Sequence, residues 1–260
     1  MLTVMNRRKF VSAATAAGLA AAAPAGVANK ALIELRRYQL RNGDQMARVS
    51  AYLKDGLLPA AKRAGLGPCG AFNAVIGEGS PFVLAMLSYP SLAGVEEGWT
   101  KIMADADHKK AYADMHSMEK EPSYARMENS LLRSFDSWPQ VTTPSAGAAP
   151  HIFELRTYEN KNEIAAARKD KMFDDGEAAI FKRLGFQPVF FGRTIVGRNM
   201  PNLVYMVTFD NLAAREKLWS SFGGDEEWKK LRATPGLSDP QVVSNISNAI
   251  LRPLPFSPIK

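Results

Sequence analysis

Two stretches of this chain repeat one another 120 residues apart. Residues 33–38 read I-E-L-R-R-Y, and residues 153–158 read F-E-L-R-T-Y. The same offset relates many further identical pairs, among them Asp55/Asp175, Gly56/Gly176, Lys62/Lys182, Gly65/Gly185, Gly77/Gly197 and Trp99/Trp219. Chance does not keep one register over about a hundred residues, so the chain holds two copies of a unit of about 105 residues, a usual domain size.

Each copy predicts the same order of elements: strand, helix, strand, strand, helix, strand. Period-two alternation and turn residues mark the strands, and apolar residues at helical spacing mark the helices. Ser91 and Asn211 are suited to cap the second helix of each copy, and Gly65 and Gly185 to end the first. Pro59 lies in the first helix of copy one only, so we expect a kink or a break near Gly56 in that copy alone. The first copy gives strands at 33–40, 69–76, 82–89 and 130–135, and the second at 153–158, 189–196, 202–209 and 249–254.

This order is that of the split-βαβ, ferredoxin-like plan, in which helices cover one face of the sheet. The bare face must also be buried, or it would expose a large apolar patch. We therefore predict an α+β fold in which two tandem ferredoxin-like (βαββαβ) units press their sheets together as a pseudo-dimer of the dimeric-α/β-barrel type. The predicted units are 31–135 and 150–254, with a Pro/Ser/Thr/Ala-rich linker at 136–149 and a tail at 255–260.

Residues 1–28 are predicted to be an export signal. Arg7, Arg8 and Lys9 precede an alanine-rich, weakly apolar run that is too short to anchor in a bilayer. The Arg7-Arg8-x-Phe10 pattern favours the twin-arginine route over an ordinary secretory signal, and predicts a periplasmic or secreted protein. Removal of the signal lowers the formal net charge from +7 to +4. The remaining charge is dispersed, which argues against nucleic acid as a partner.

Few residues have side chains or spacings that indicate a metal site or a catalytic nucleophile. Cys69 is the only cysteine, so no internal disulfide can form, and the three histidines are widely spaced. We find no metal-ligand spacing, no phosphate-binding glycine loop and no nucleophile elbow, so the sequence implies no cofactor.

Strand parity selects the candidate pocket. We expect Ile33 and Leu35 to pack under the helices, so that Glu34, Arg36 and Tyr38 point into the space between the two sheets. The full predicted set is Glu34, Arg36, Tyr38, Asn73, Glu154, Arg156, Tyr158, Arg193 and Tyr205. Two interpretations stay open: a structural ion-pair network, or a wet pocket for a small molecule with acidic or hydroxyl groups.

The E-L-R-x-Y openings, the Lys-Arg-x-Gly helix ends and the Trp-bearing second helices resemble the NIPSNAP family across both copies. The resemblance implies a dimeric-α/β-barrel fold, and it brings no agreed reaction, so no catalytic residue is carried over. The wider superfamily includes cofactor-free monooxygenases and haem-degrading enzymes, a link at the level of fold.

Three functions therefore remain. The first is an exported protein that binds a small molecule or a partner through the barrel between its units. The second is a cofactor-independent enzyme of the monooxygenase or isomerase kind, with Arg36 or Arg156 holding an anion and Tyr38, Tyr158 or His108 moving a proton. The third is a structural or interaction module without ligand. A homo-oligomer is left open in each case.

Overall fold

The computed structural model describes residues 29–117, 121–145 and 150–260. The predicted export signal, 1–28, lies outside these residues. No helix in the described part of the chain is long and apolar enough to cross a membrane.

The first unit contains four strands and four α-helices. Its elements are β1 (Leu32–Gln39), α1 (Gln45–Tyr52), α2 (Leu58–Arg63), β2 (Gly70–Ile76), β3 (Phe82–Tyr89), α3 (Leu92–Ala104), α4 (Ala106–Met115) and β4 (Arg126–Ser134). The side chain of Ser91 caps α3 by accepting a hydrogen bond from the Gly94 backbone N–H, as predicted. Gly65, which follows α2, takes the left-handed conformation at φ +81° that glycine adopts most easily.

The second unit repeats this order. Its elements are β5 (Ile152–Asn160), α5 (Glu163–Met172), α6 (Ala178–Leu184), β6 (Gln187–Val196), β7 (Asn202–Phe209), α7 (Leu212–Gly224), α8 (Glu226–Arg232), the short α9 (Asp239–Val242) and β8 (Val243–Pro253). Asn211 caps α7 as Ser91 caps α3. The closing strands β4 and β8 begin several residues earlier than the sequence indicated, because both strands pair along the full length of their neighbours.

The eight strands form one closed barrel in the order β1-β3-β2-β8-β5-β7-β6-β4. The last strand of each unit joins the two units: β4 pairs with β1 and with β6, and β8 pairs with β5 and with β2. All pairs are antiparallel, and closure leaves no edge strand. The predicted fold class is therefore confirmed, with the helices packed outside the barrel.

The barrel interior is an apolar core to which both units contribute. Phe72 and Phe153 meet in it at 4.8 Å between ring centroids. The linker residue Val141 and the tail residue Ile259 also belong to this core. The linker is fixed to the start of β1, where the Ala31 N–H donates to the Pro139 carbonyl at 2.8 Å. Linker and tail thus close one end of the barrel.

The predicted direction of the strand faces was wrong. Ile33 and Leu35 lie inside the barrel, while Glu34, Arg36 and Tyr38 lie on its outer face under the helices. Both faces of the sheet are covered, and both carry apolar residues. The alternation along the strand therefore did not identify the inner face. The inner face is enclosed on all sides, so an ion pair there would lose more hydration than an ion pair under the helices. Under the helices, indole and amide groups donate hydrogen bonds to the buried carboxylate.

The expected kink in the first unit alone was also wrong. A π-helical turn follows α1 at Leu53–Leu57 and follows α5 at Phe173–Glu177, although only the first copy has a proline nearby. The shared feature is a glycine at a close helix contact. A Cβ on Gly56 would lie 2.7 Å from the Ala111 Cβ on α4. The π-helical turn therefore correlates with a close contact between two helices, which both units have, and not with Pro59, which only the first unit has.

Candidate ligand-binding site

Glu34 is the centre of a buried hydrogen-bond network beneath α3. Its carboxylate accepts from Arg36 Nε at 2.6 Å, from Trp99 Nε1 at 2.9 Å and from Asn129 Nδ2 at 2.6 Å, and also from the Tyr89 hydroxyl. The Arg36 guanidinium lies over the Trp99 ring, 3.7 Å from its centroid. Burial raises the pKa of Glu34, but the Arg36 charge and these donors outweigh it, so the pKa is lowered.

Glu154 is the equivalent centre in the second unit. Trp219 Nε1 and Asn248 Nδ2 donate to it at 2.8 and 2.9 Å, in the places of Trp99 and Asn129. Arg156 pairs with it at 2.9 Å, and Arg215 adds a two-pronged contact at 2.7 and 2.8 Å. Two buried carboxylates with complete sets of donors are what the structural ion-pair interpretation requires.

The other predicted residues also lie outside the barrel interior. Tyr38 packs edge-on against Tyr124, and the Tyr158 hydroxyl meets that of Tyr205 at 3.0 Å. Arg193 binds Asp170 on α5 and thereby ties the helix to the sheet. Asn73 shares the outer face of β2 with Ala71, which packs in the helix-side core. The nine predicted residues thus do not converge on one pocket between the sheets.

A different set of residues surrounds a cavity in the barrel. It measures about 200 Å³ and opens at the end opposite the linker and tail. Its floor is apolar, formed by Leu35, Leu84, Leu155 and Val204. Its rim is polar and includes Arg37, Gln39, Glu78, Arg126, Glu128, Ser130, Thr157, Thr194, Arg198, Asn199, Asn202 and Ser247. We call this the barrel mouth.

Charge at the barrel mouth is positive overall, with three guanidiniums against two carboxylates. Glu128 pairs with Arg126 at 2.9 Å and with Arg198. The Arg37 guanidinium lies over the Phe82 ring, 3.9 Å from its centroid. Burial lowers the pKa of Arg37, and the neighbouring Arg198 acts in the same direction. The buried Arg37 Nε has no hydrogen-bond partner in the part of the chain that the structure describes.

Sequence reasoning missed the barrel mouth for one reason. Arg37 and Gln39 share the strand face of Ile33 and Leu35, which we had assigned to the helices. If the odd-numbered residues of β1 and β5 are assigned to the barrel interior, Arg37 and Thr157 become candidate pocket residues. The signal was present, but the alternation alone does not say which face lies inside.

The closed eight-stranded barrel with outer helices defines a protein of the dimeric-α/β-barrel class, here built within one chain. The NIPSNAP family model matches residues 33–137 and 153–258, and the chain belongs to that family. No curated protein matches the chain.

Solved structures share the barrel at low sequence identity. A candidate monooxygenase from Lactobacillus acidophilus NCFM is 10% identical, with a TM-score of 0.59 over 85% of this chain and 93% of the other. An anthrone oxidase-like protein is 11% identical, with a TM-score of 0.51 over 86% and 92%. A NIPSNAP family protein of unknown function from Agrobacterium tumefaciens C58 is 22% identical, with a TM-score of 0.39 over 45% and 100%. The first two likenesses show the fold alone.

Proposed function

We propose that this NIPSNAP family protein binds a small molecule with an apolar body and an acidic group at the barrel mouth. The observation that carries the proposal is an apolar-floored cavity between the two units, edged by Arg37, Arg126 and Arg198. An acid seated on the floor would direct its carboxylate to the rim, where guanidiniums bind carboxylates well. The cavity volume equals roughly seven waters at their share of liquid volume, so the ligand is smaller than a drug-sized molecule.

Benzoate and benzyl alcohol are suitable probes because they share a ring and differ in charge. We expect calorimetry to show tighter binding of benzoate, and weaker binding as salt is raised. The Arg37→Gln variant should lose roughly ten- to a hundredfold in benzoate affinity, the value of a charged hydrogen bond. Arg133→Gln is the matched control, since Arg133 is exposed on the same barrel but lies opposite Leu32, at the other end.

Equal affinity for the two probes, or unchanged benzoate binding by Arg37→Gln, would refute this proposal. The natural ligand is best sought by native mass spectrometry of protein purified from its own host. A retained acid of matching size would identify it.

The alternatives remain distinct from this proposal. The complete donor sets of Glu34 and Glu154 support a structural role for those two networks, as the module without ligand requires. A cofactor-independent enzyme of the monooxygenase or isomerase kind is suggested by the proteins that share the fold, at the level of analogy.

We also propose export by the twin-arginine route, on the Arg7-Arg8-x-Phe10 pattern and the alanine-rich run that follows it. Replacement of both arginines by lysine should leave the precursor in the cytoplasm, measured by cell fractionation. Normal export of the double variant would exclude this route.

A further inference from the structure

The first unit contains a buried phenol–imidazole pair that the second unit lacks. The Tyr52 hydroxyl, at the end of α1, lies 3.0 Å from His108 Nε2 on α4. The residues 120 positions later are Met172 and Trp228, which pack in the apolar core of the second unit. Since the two units share one fold, this difference does not follow from the needs of the fold.

The positions around this pair also differ between the two units. In the second unit, the space between sheet and helices is filled by rings, including Phe173, Phe181, Phe191, Tyr205 and Phe222. The corresponding positions of the first unit hold Leu53, Ala61, Ala71, Ala85 and Ile102. The first unit instead places hydroxyl and imidazole groups there, which can exchange protons.

The backbone of His108 is fixed in the first turn of α4. Its backbone N–H donates to Asp105 Oδ1 at 3.0 Å, and Asp105 is bound by Arg63 at 2.7 Å through each of its two oxygens. The His108 side chain is 1% exposed, and its Nδ1 has no hydrogen-bond partner among residues 29–117, 121–145 and 150–260. Burial lowers the pKa of His108, which favours the neutral ring.

A groove between α1 and α4 borders the Tyr52 side of the pair. The groove measures about 180 Å³ and is lined by the uncharged residues Ala51, Tyr52, Ala111 and Met115 and by the charged residues Arg48, Asp55 and Asp114. Tyr112, which is 45% exposed, packs against the Tyr52 ring at 5.9 Å between centroids. The Tyr52 ring forms one wall of the groove, and an aromatic ring face can stack with a flat, conjugated molecule.

The Arg36 guanidinium, which is paired with Glu34, affects the pKa of both residues of the pair. Arg36 is held by Glu34 through Nε and by the Trp99 ring, and its charge opposes the rise that burial causes in the pKa of Tyr52. Asp105 is the anion that acts on His108, and Arg36 is the cation that acts on both residues of the pair.

We propose that Tyr52 and His108 form a proton-transfer site for a small planar phenol or enol that enters from the α1–α4 groove. The ligand O–H bond breaks and its proton joins the Tyr52 oxygen, while the Tyr52 proton moves to His108 Nε2. The ligand oxygen keeps the electron pair, and its negative charge is favoured by Arg36. The imidazolium is favoured by Asp105 and opposed by Arg36, and the reverse transfer returns both protons. This site is separate from the barrel mouth and does not depend on it.

The probe is 4-nitrophenol, because its absorption band reports whether it is ionised. Titration of the probe in the presence of excess protein should show its apparent pKa lowered by about one unit, a tenfold rise in its ionisation constant. Tyr52→Phe removes the relay oxygen and should abolish the shift. Ala51→Trp places an indole in the groove from an exposed position and should prevent binding without disturbing the core.

The controls use equivalent changes elsewhere. Ala47→Trp is exposed one turn earlier on α1 and should keep the shift. Tyr205→Phe removes a buried phenol from the second unit and should also keep it. No binding of 4-nitrophenol by the wild type, an unchanged shift in Tyr52→Phe, or normal binding by Ala51→Trp would each overturn the proposal.

Discussion

The buried Lys169–Glu177 pair permits a quantitative test of how the two units differ. Lys169 Nζ lies 3.1 Å from Glu177 Oε2, and both side chains are almost wholly inaccessible to solvent. Asp239 is a second, more distant partner of the lysine at 3.7 Å. In the first unit the equivalent residues are Val49 and Leu57, so the fold itself shows that apolar residues fit both positions.

We expect Lys169→Val to destabilise the protein by about 4 kcal/mol at pH 7. The ammonium ion and the carboxylate attract one another by about 5 kcal/mol at this distance with an effective dielectric constant of ~20. An independent route gives a similar value. Without Lys169, Glu177 must take up a proton to stay buried, which costs about 3.7 kcal/mol at pH 7 from an ordinary pKa of about 4.3. Glu177→Leu should cost a similar amount, because it leaves the ammonium unpaired.

The double variant Lys169→Val/Glu177→Leu should be far more stable than the sum of the two single changes implies. It copies the first unit and leaves no buried charge, so we expect a net change within about 1.5 kcal/mol of the wild type. The coupling energy from the double-mutant cycle should then be several kcal/mol. The assay is urea unfolding of all four proteins, followed by far-UV circular dichroism.

The pH dependence gives an internal check. Burial raises the pKa of Glu177, and the charge of Lys169 opposes that rise. In Lys169→Val the folded-state pKa therefore lies above the unfolded value, so the variant gains stability relative to the wild type as pH falls. At pH 5 the cost should shrink to about 1 kcal/mol. Single variants that each cost under 1 kcal/mol at pH 7, or costs that simply add, would refute this reasoning.

Three further changes test the packing and the networks. Trp99→Phe removes one donor to the buried Glu34 carboxylate and should cost about 1.5–3 kcal/mol by urea unfolding; a cost near zero would mean that water replaces the indole. Gly56→Ala puts a methyl group 2.7 Å from the Ala111 Cβ and should lower stability by about 1–3 kcal/mol, with unchanged thermal unfolding as the contrary result. Burial raises the pKa of Cys69 to about 11, so a thiol reagent at pH 7 should react much faster with the urea-unfolded chain than with the native protein, and equal rates would contradict its burial.

The candidate sites were predictable only in part. The sequence analysis identified Glu34, Arg36 and their partners in the second copy as a charged network, and the structure shows the pairing. It did not find Trp99, Asn129 or Arg215 as their partners, because contacts between strands and helices far apart in the chain carry no local signal. His108 was considered for proton transfer, but its partner Tyr52 was not, since the two lie 56 residues apart.

The sequence by itself determined the duplication, the order of elements and the fold class. These depend on local periodicity, on capping residues such as Ser91 and Asn211, and on an offset that any alignment of the chain with itself reveals. Each of these features depends on residues close together in the chain, or on two copies whose sequences can be compared directly.

Only the tertiary structure decided which face of each strand lies inside the barrel. Alternation along β1 is equally compatible with Leu35 inside or Arg36 inside, because both faces of this sheet are buried and both carry apolar residues. The choice depends on closure of eight strands from two units, which makes the interior the most enclosed space in the molecule. Apolar side chains therefore occupy the interior, and the Glu–Arg ion pairs lie on the outer face, where the helices supply hydrogen-bond donors. The arginines of the barrel mouth lie where the interior opens to water.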